Sequence, residues 1–294
     1  MKIGISMIYK RVDDSAPNPG DFARECEQLG LDSVWVGDHM LFHANPKTRF
    51  PAGDGRIPDH YAHFPEPFVV LAMAAATTKK LRVGTSVLLV PEHPPLTTAK
   101  RIATLDRISG GRVILGVGTG WLREAAIPLG SDFDHRWTQA EEYVEAMRVL
   151  WSKRAASFHG KYVDFDDIVV NPKPVQQPGP PVLIGSSDKR ALRWVARWGD
   201  GYNPVCFQAD KAVNYMQKQL AGLKEECDKA GRDFSKLDIT VMNSLPDRRM
   251  QTQEIIAAMA SIGVQRIVEV SAVEPLFGVG DYRAKLDRLA KIAL

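Results

Sequence analysis

The sequence has few cysteines, no long hydrophobic run and almost no excess of either charge. Only 3 cysteines occur in 294 residues, too few and too scattered for a disulfide framework or a cysteine-rich metal site. No apolar run approaches the roughly 18 residues of a membrane-spanning helix. Met1 leads directly into a strand pattern rather than a secretory signal. These absences predict a cytoplasmic protein that does not enter a membrane.

The balance of charges excludes a further class. Lys and Arg total 38 and Asp and Glu total 35, which gives a net charge of +3 without a concentrated basic stripe. Nucleic-acid binders usually carry such a stripe. We therefore expect the protein to bind a small organic molecule and not a nucleic acid. The composition, 45% hydrophobic and 25% charged, suits one large domain with a full core, which we place over residues 1–294.

Short runs rich in Val, Ile and Leu alternate with segments of helical periodicity, which is typical of βα units in a parallel sheet. The runs number eight, as a (β/α)₈ TIM barrel requires. They lie at residues 2–7, 32–37, 81–89, 112–117, 181–185, 200–205, 237–242 and 265–271.

The intervening segments carry helix signals and two insertions. Asn18 followed by Pro19 predicts a helix start, and apolar stripes predict helices over 97–109, 137–151 and 211–230. Residues 41–66 and 155–180 break the rhythm with Pro, Gly and His, and we interpret both as loop insertions. The second contains a hairpin signal at residues 158–162.

Reactive side chains of a parallel barrel come from the C-terminal strand ends, where polar and glycine-rich motifs occur. The sequences there are Val-Trp-Val-Gly-Asp38-His39, Gly-Thr-Ser86-Val87, Gly-Val-Gly118-Thr119-Gly120-Trp121 and Gly185-Ser186-Ser187. In this order, and together with Trp-Gly-Asp-Gly-Tyr202, they resemble the luciferase-like monooxygenase superfamily over nearly the whole chain. The match is most similar to the branch that uses the deazaflavin coenzyme F420.

The resemblance implies roles for these residues. Ser86 and Val87 match a bulged, non-proline cis peptide that backs the central cofactor ring. The histidine, His39, is expected near the reactive ring carbon as acid, base or hydrogen-bond donor, with the ordinary pKa of about 6.5. The aspartate, Asp38, is expected to bind the polar edge of the ring or to orient the cavity. The alternative is a structural Asp38 beside a surface histidine.

Two glycine-containing turns each allow two interpretations. The glycines around Gly118, Thr119 and Gly120 remove side chains where a flat ring meets a strand end, or else allow a tight turn. Gly185, Ser186 and Ser187 precede a predicted helix, where free N–H groups bind an anion such as a cofactor phosphate. Simple capping by Ser187 or Asp188 explains the same pattern.

One position departs from the family. Sugar-phosphate dehydrogenases of this branch carry a glutamate as proton donor where this chain has Trp121, so that reaction is not expected. Trp121 instead suits the wall of an apolar substrate pocket, and Glu124 is not assigned as a substitute acid.

The resemblance therefore implies an oxidoreductase that uses F420 to transfer a hydride to or from a small organic substrate. The alternatives are an FMN-dependent monooxygenase, a silent flavin-binding barrel, and a metal-dependent hydrolase using His39, His43, His60 and His63. No metal is expected in the leading interpretation. The family also suggests a homodimer through helices at 66–78 and 97–109, helped by the alanines at positions 72 and 74–76.

Overall fold

The computed structural model describes residues 1–7, 18–206, 211–243, 245, 249–270 and 281–293. Eleven strands occur in these ranges. They are β1 (Lys2–Ser6), β2 (Ser33–Val36), β3 (Arg82–Leu89), β4 (Val113–Gly118), β5 (Ala156–His159), β6 (Asp164–Ile168), β7 (Val182–Ile184), β8 (Gly201–Tyr202), β9 (Val205–Cys206), β10 (Asp238–Asn243) and β11 (Arg266–Glu269).

All strands except β5 and β6 belong to one parallel sheet that closes on itself. The order runs from β1 through β2, β3, β4, β7 and β8 to β10, and β11 pairs with both β10 and β1. Both β8 and β9 pair with β10, so they are two halves of one strand position, interrupted at Asn203 and Pro204. Proline lacks the N–H that a continuous ladder needs. The described ranges thus form an eight-position barrel, and all eight predicted runs are confirmed.

The helices follow the strands along the chain. They are α1 (Pro19–Gln28), α2 (Pro67–Thr77), α3 (Pro95–Ser109), α4 (Arg123–Ala126), α5 (Arg136–Ser152), α6 (Lys189–Arg197), α7 (Ala212–Ala230), α8 (Arg249–Ser261) and α9 (Asp281–Ala293). Asn18 caps α1 as predicted, since its side chain accepts a hydrogen bond from Gly20 N at 2.9 Å. The predicted hairpin is confirmed as the antiparallel pair β5 and β6. None of the helices in the described ranges is long and apolar enough to span a membrane.

The barrel interior is packed with side chains. Alternate strand residues point inward, as expected for a pleated strand, and they form a small cluster of their own. Its members are Trp35, Ile114, Leu183, Met242, Val268 and Val270. A Cβ on Gly84 would lie 2.6 Å from the Trp35 ring, so this glycine admits the indole. A filled interior leaves the strand ends as the place for a ligand.

The outer layer contains two buried cysteines and the alanine face of α2. Cys26 and Cys227 are free thiols and are fully buried. The alanine face of α2 is divided, because Ala74 and Ala75 are buried while Ala76 is exposed. The alanines at 74 and 75 therefore pack inside the subunit and are not available to a partner, which corrects the expectation for these two residues.

Candidate active site

The predicted site residues all lie at one end of the barrel. Asp38 and His39 follow β2, Ser86 and Val87 lie in the last half of β3, and the turn at 118–120 ends β4. The turn at 185–187 follows β7, which pairs with β4. Since parallel strands end at the same edge, the fold brings the four motifs together at the C-terminal opening of the barrel, which we call the mouth.

The floor of the mouth is formed by the end of β3. The peptide bond between Ser86 and Val87 is cis, and the pairing with β4 shifts register between Thr85 and Leu88. The predicted bulged cis peptide is therefore confirmed. The Ser86 hydroxyl donates to Oδ1 of Asn203 at 2.7 Å, and Asn203 is fully buried. Asn203 was missed by sequence reasoning, although it follows the Gly-Tyr motif that carried the resemblance.

Close packing explains why glycines occur at the mouth. A Cβ on Gly118 would lie 2.5 Å from Val87 Cγ2, and a Cβ on Gly185 would overlap the other methyl group of Val87. The space beside these glycines is therefore occupied by the Val87 side chain, rather than left clear for a heterocycle. Gly120 has a φ of 77°, as the alternative of a tight turn expected. A contact of Gly118, Thr119 or Gly120 with a cofactor stays a prediction.

Asp38 lies behind the mouth in a buried polar cluster. Its Oδ2 accepts a hydrogen bond from Leu89 N at 2.9 Å and lies 2.6 Å from Nε2 of His93. Both side chains are buried. The other oxygen, Oδ1, is buried without a hydrogen-bond partner among the described residues. One oxygen of this carboxylate is thus held by hydrogen bonds within the protein, which agrees with the alternative that Asp38 has a structural role.

Glu92 joins this cluster and was not singled out from the sequence. It ends the turn Val90–Glu92 directly after β3, and only 3% of its surface is exposed. Burial, with the nearby charge of Asp38, raises the pKa of its carboxyl to about 8. A carboxylate placed just after a barrel strand is a signal that sequence reasoning could have used.

His39 is enclosed by aromatic rings. The ring centroids of Tyr61, Phe64 and Trp121 lie 5.2, 5.5 and 5.7 Å from that of His39. Burial lowers the pKa of His39 to about 4, against a smaller opposite effect of Asp38. The expected pKa near 6.5 is therefore wrong, because an imidazolium would have to form among apolar rings. At neutral pH the ring is uncharged.

The insertion at residues 41–66 supplies most of this enclosure. Its Phe50 and Tyr61 also pack on Trp121, with centroids 5.3 and 5.8 Å apart. Glu124 holds the same loop, since it accepts hydrogen bonds from Lys47 N at 2.7 Å and from the hydroxyl of Thr48 at 2.6 Å. These bonds lower the pKa of Glu124 to about 2, so it is a carboxylate and not the missing acid.

The turn before α6 is capped by Asp188. Its Oδ1 accepts from Arg190 N at 2.9 Å, and its own N–H donates to the Ser186 hydroxyl at 3.1 Å. The cap is thus Asp188 and not Ser187. The guanidinium of Arg190 pairs with the same carboxylate at 2.9 Å, while that of Arg136 donates to Gly120 O at 3.2 Å. The turn is thus bordered by the Arg190–Asp188 ion pair, and Arg136 is close enough to interact electrostatically with both charges. Phosphate binding by Gly185, Ser186 and Ser187 stays a prediction.

The spaced histidines do not assemble into a metal site. Within the described ranges there is no group of three or more His, Cys, Asp or Glu side chains that could hold a metal ion. The ring of His60 instead packs at a tilt against that of Tyr61, with the ring centroids 4.8 Å apart, as part of the aromatic enclosure.

Comparison with known proteins agrees with this geometry. The luciferase-like monooxygenase family matches residues 1–247, and the chain belongs to this family. It is 32% identical over 224 residues to an F420-dependent glucose-6-phosphate dehydrogenase of Kineococcus radiotolerans, covering 75% of this chain and 61% of that protein. It is also 32% identical over 259 residues to an FMNH₂-dependent dimethylsulfone monooxygenase of Pseudomonas putida, covering 87% and 66%.

A solved structure extends the likeness to the fold. The monooxygenase RslO1 from Streptomyces bottropensis superimposes with a TM-score of 0.79 at 18% identity, over 99% of this chain and 98% of that one. The protein is thus an enzyme of the luciferase-like oxidoreductases and monooxygenases, whose relatives divide between F420 and FMN.

Proposed function

We propose that the protein is an F420-dependent oxidoreductase that transfers a hydride to or from a small organic substrate. The observation that carries the proposal is the enclosure of His39 by Tyr61, Phe64 and Trp121, at the end of the barrel where Ser86 and Val87 form the cis peptide. The F420-dependent relative and the Asp38-His39 motif favour the deazaflavin. The same proposal includes a cytoplasmic homodimer.

The residues present fit a flavin-type group. Ser86 and Val87 are half-buried at the mouth, and glycines at 118 and 185 let the Val87 side chain lie between them as a low floor. The Arg190–Asp188 pair borders the turn proposed for the phosphate, and Arg136 is close enough to interact electrostatically with both charges. We place the ring against Ser86 and Val87, and the phosphate at Gly185, Ser186 and Ser187.

When bound, F420 supplies the ring carbon that gives or takes the hydride. The chain supplies the surroundings. The rings of Phe50, Tyr61 and Trp121 exclude water from the mouth, and Trp121 favours an apolar substrate over a sugar phosphate. An uncharged His39 accepts a proton from a substrate hydroxyl, or donates a hydrogen bond to a carbonyl oxygen, through a ring nitrogen. Asp38 holds the segment of His39 through Leu89 and His93.

The test is a titration of the purified protein with oxidised F420 and separately with FMN, in oxidised and reduced form, followed by fluorescence. We expect saturable quenching of F420 and at least about tenfold weaker binding of FMN, a difference of about 1.4 kcal/mol. Preferred binding of reduced FMN would favour the monooxygenase, which the dimethylsulfone monooxygenase relative supports.

Turnover separates an enzyme from a silent flavin-binding barrel. With a panel of secondary alcohols as substrates, we expect His39→Ala to bind F420 normally and to lose about 10²–10⁴-fold in rate. His159→Ala is the matched control, since His159 is exposed on the β5–β6 hairpin. Normal turnover by His39→Ala with bound cofactor would remove His39 from the mechanism.

A further inference from the structure

Glu92 is a buried acid that the proposed mechanism does not use. Its Oε2 has no hydrogen-bond partner among the described residues, and it is buried. The other oxygen packs against the β4 turn, since a Cβ on Gly120 would lie 2.7 Å from Oε1. The residue after Gly120 is Trp121, whose ring contacts His39. Glu92 therefore lies directly behind the backbone that carries one wall of the site.

A second unpartnered acid oxygen belongs to Asp38, whose Oδ1 is buried in the same cluster. Asp38 is close enough that its charge adds to the effect of burial on Glu92. Two ionised carboxylates with unfilled acceptors are unfavourable in a buried site, because the charges repel and neither is solvated. One of the two acids should therefore keep its proton. Asp38 already accepts hydrogen bonds, which stabilise a carboxylate, so the acid that keeps its proton is Glu92.

The elements packed around Glu92 offer little compensating charge. Its own turn contributes His93, which is occupied by Asp38, and α2 has no charged residue. The turn at 127–129 has none either. On α5 the nearest cation is Arg136, which donates to the carbonyl groups of Gly120 and Phe133.

The other charged residues of α5 are Glu141, Glu142, Glu145 and Arg148. Glu141 pairs with Arg197 at 3.0 Å, Glu142 binds the β5–β6 hairpin, and Arg148 pairs with Asp200 at 2.8 Å. The remaining one, Glu145, is an acid beside Glu141, so it brings no positive charge.

We propose that Glu92 is a positioning residue that works as a neutral carboxylic acid, which packs against Gly120 and holds the Gly120–Trp121 wall in place without adding a charge next to Asp38. When Glu92 ionises, its charge is repelled by Asp38, and no hydrogen-bond donor among the described residues stabilises its Oε2. The carboxylate is then displaced from Gly120, and the wall moves with it. The ionisation of Glu92 thus sets the alkaline limit of the site.

The first test measures the protein without any cofactor. Because the pKa of Glu92 is raised to about 8, the native state keeps a proton that the unfolded chain releases near 4.5. The free energy of unfolding should therefore fall as the pH rises from about 4.5 to about 8, and level off above that range. Glu92→Gln, which keeps the shape but cannot ionise, should lose this part of the pH dependence. An unchanged pH dependence in Glu92→Gln would overturn the proposal.

Glu141→Gln is the matched control, because the pKa of Glu141 is also raised by burial but the residue lies away from Gly120. If Glu92→Gln does not fold, infrared spectra of the wild-type and Glu141→Gln proteins decide. The band of a protonated carboxyl should be present in both at pH 7 and vanish above the pKa of Glu92. Its absence from Glu141→Gln at pH 7 would overturn the proposal.

The last test rests on the proposed function and uses F420 as the probe. Above the pKa of Glu92, the affinity of the wild-type protein should fall by up to about tenfold per pH unit, whereas Glu92→Gln should bind equally at pH 7 and 9. A parallel loss in both proteins would show that Glu92 does not set the limit. Failure of every protein to bind F420 would count against the proposed function, and the unfolding and infrared results would still decide the role of Glu92.

Discussion

The charge state of His39 gives a prediction that can be worked out in detail. The pKa of His39 is lowered from 6.5 to about 4 by burial among the aromatic rings of the mouth. In the unfolded chain the same ring binds a proton near pH 6.5, so between these two values the unfolded state holds more protons than the native state. The His39 contribution to the free energy of unfolding is therefore complete above pH 6.5 and is lost as the pH falls toward 4.

The magnitude follows from the two pKa values. Between pH 7 and pH 5 the linkage relation gives a loss of about 2 kcal/mol, and partial exposure of the ring reduces this to about 1–2 kcal/mol. The perturbation is His39→Gln, which removes the titrating ring. The mutation also removes ring contacts, but that cost does not depend on pH. The difference between wild type and variant should therefore shrink by about 1–2 kcal/mol from pH 7 to pH 5.

The assay is urea unfolding of both proteins at pH 5, 6 and 7, with the stability extrapolated to water. His159→Gln is an instructive control, because Asp164 raises the pKa of the exposed His159, so its effect has the opposite sign. The wild-type curve alone is not decisive, since Glu92 acts in the opposite direction between pH 4.5 and 6.5. A constant difference between wild type and His39→Gln at all three pH values would refute an uncharged imidazole at position 39.

Two further predictions concern the loop over the site and the assembly of subunits. Glu124→Ala removes the bonds to Lys47 and Thr48, so we expect the loop at 41–66 to be cut by a protease about tenfold faster, which corresponds to about 1.4 kcal/mol of local opening. Asp134→Ala, which breaks only an exposed pair with Arg123, should leave the cutting rate unchanged. For the homodimer, solution scattering at micromolar concentration should give twice the subunit mass, and Val69→Glu on the exposed face of α2 should halve it. A wild-type monomer would contradict the proposed dimer. Equally rapid cutting of Glu124→Ala and Asp134→Ala would show that Glu124 has no special role.

The sequence by itself determined the fold and the ends of the strands that carry chemistry. Each buried parallel strand is a short apolar run bounded by turn residues, and this local pattern does not depend on what the strand pairs with. For that reason the sequence predicts all eight strand runs. The cap at Asn18 and the hairpin of β5 and β6 are also local patterns, and the sequence predicts them as well. The break at Asn203 and Pro204 was not predicted, although a proline inside run 200–205 is a strand-breaking signal that the sequence does show.

Only the tertiary structure decided the surroundings of the side chains at those ends. Asp38 and His39 are neighbours in the chain, yet Asp38 is buried with His93 while His39 contacts rings from the loop at 41–66 and from the end of β4. A pKa depends on desolvation and on charges within a few ångströms, and here these come from segments far apart in the chain. The uncharged His39 and the raised pKa of Glu92 are therefore properties of the assembled barrel, and no local pattern of residues could have predicted them.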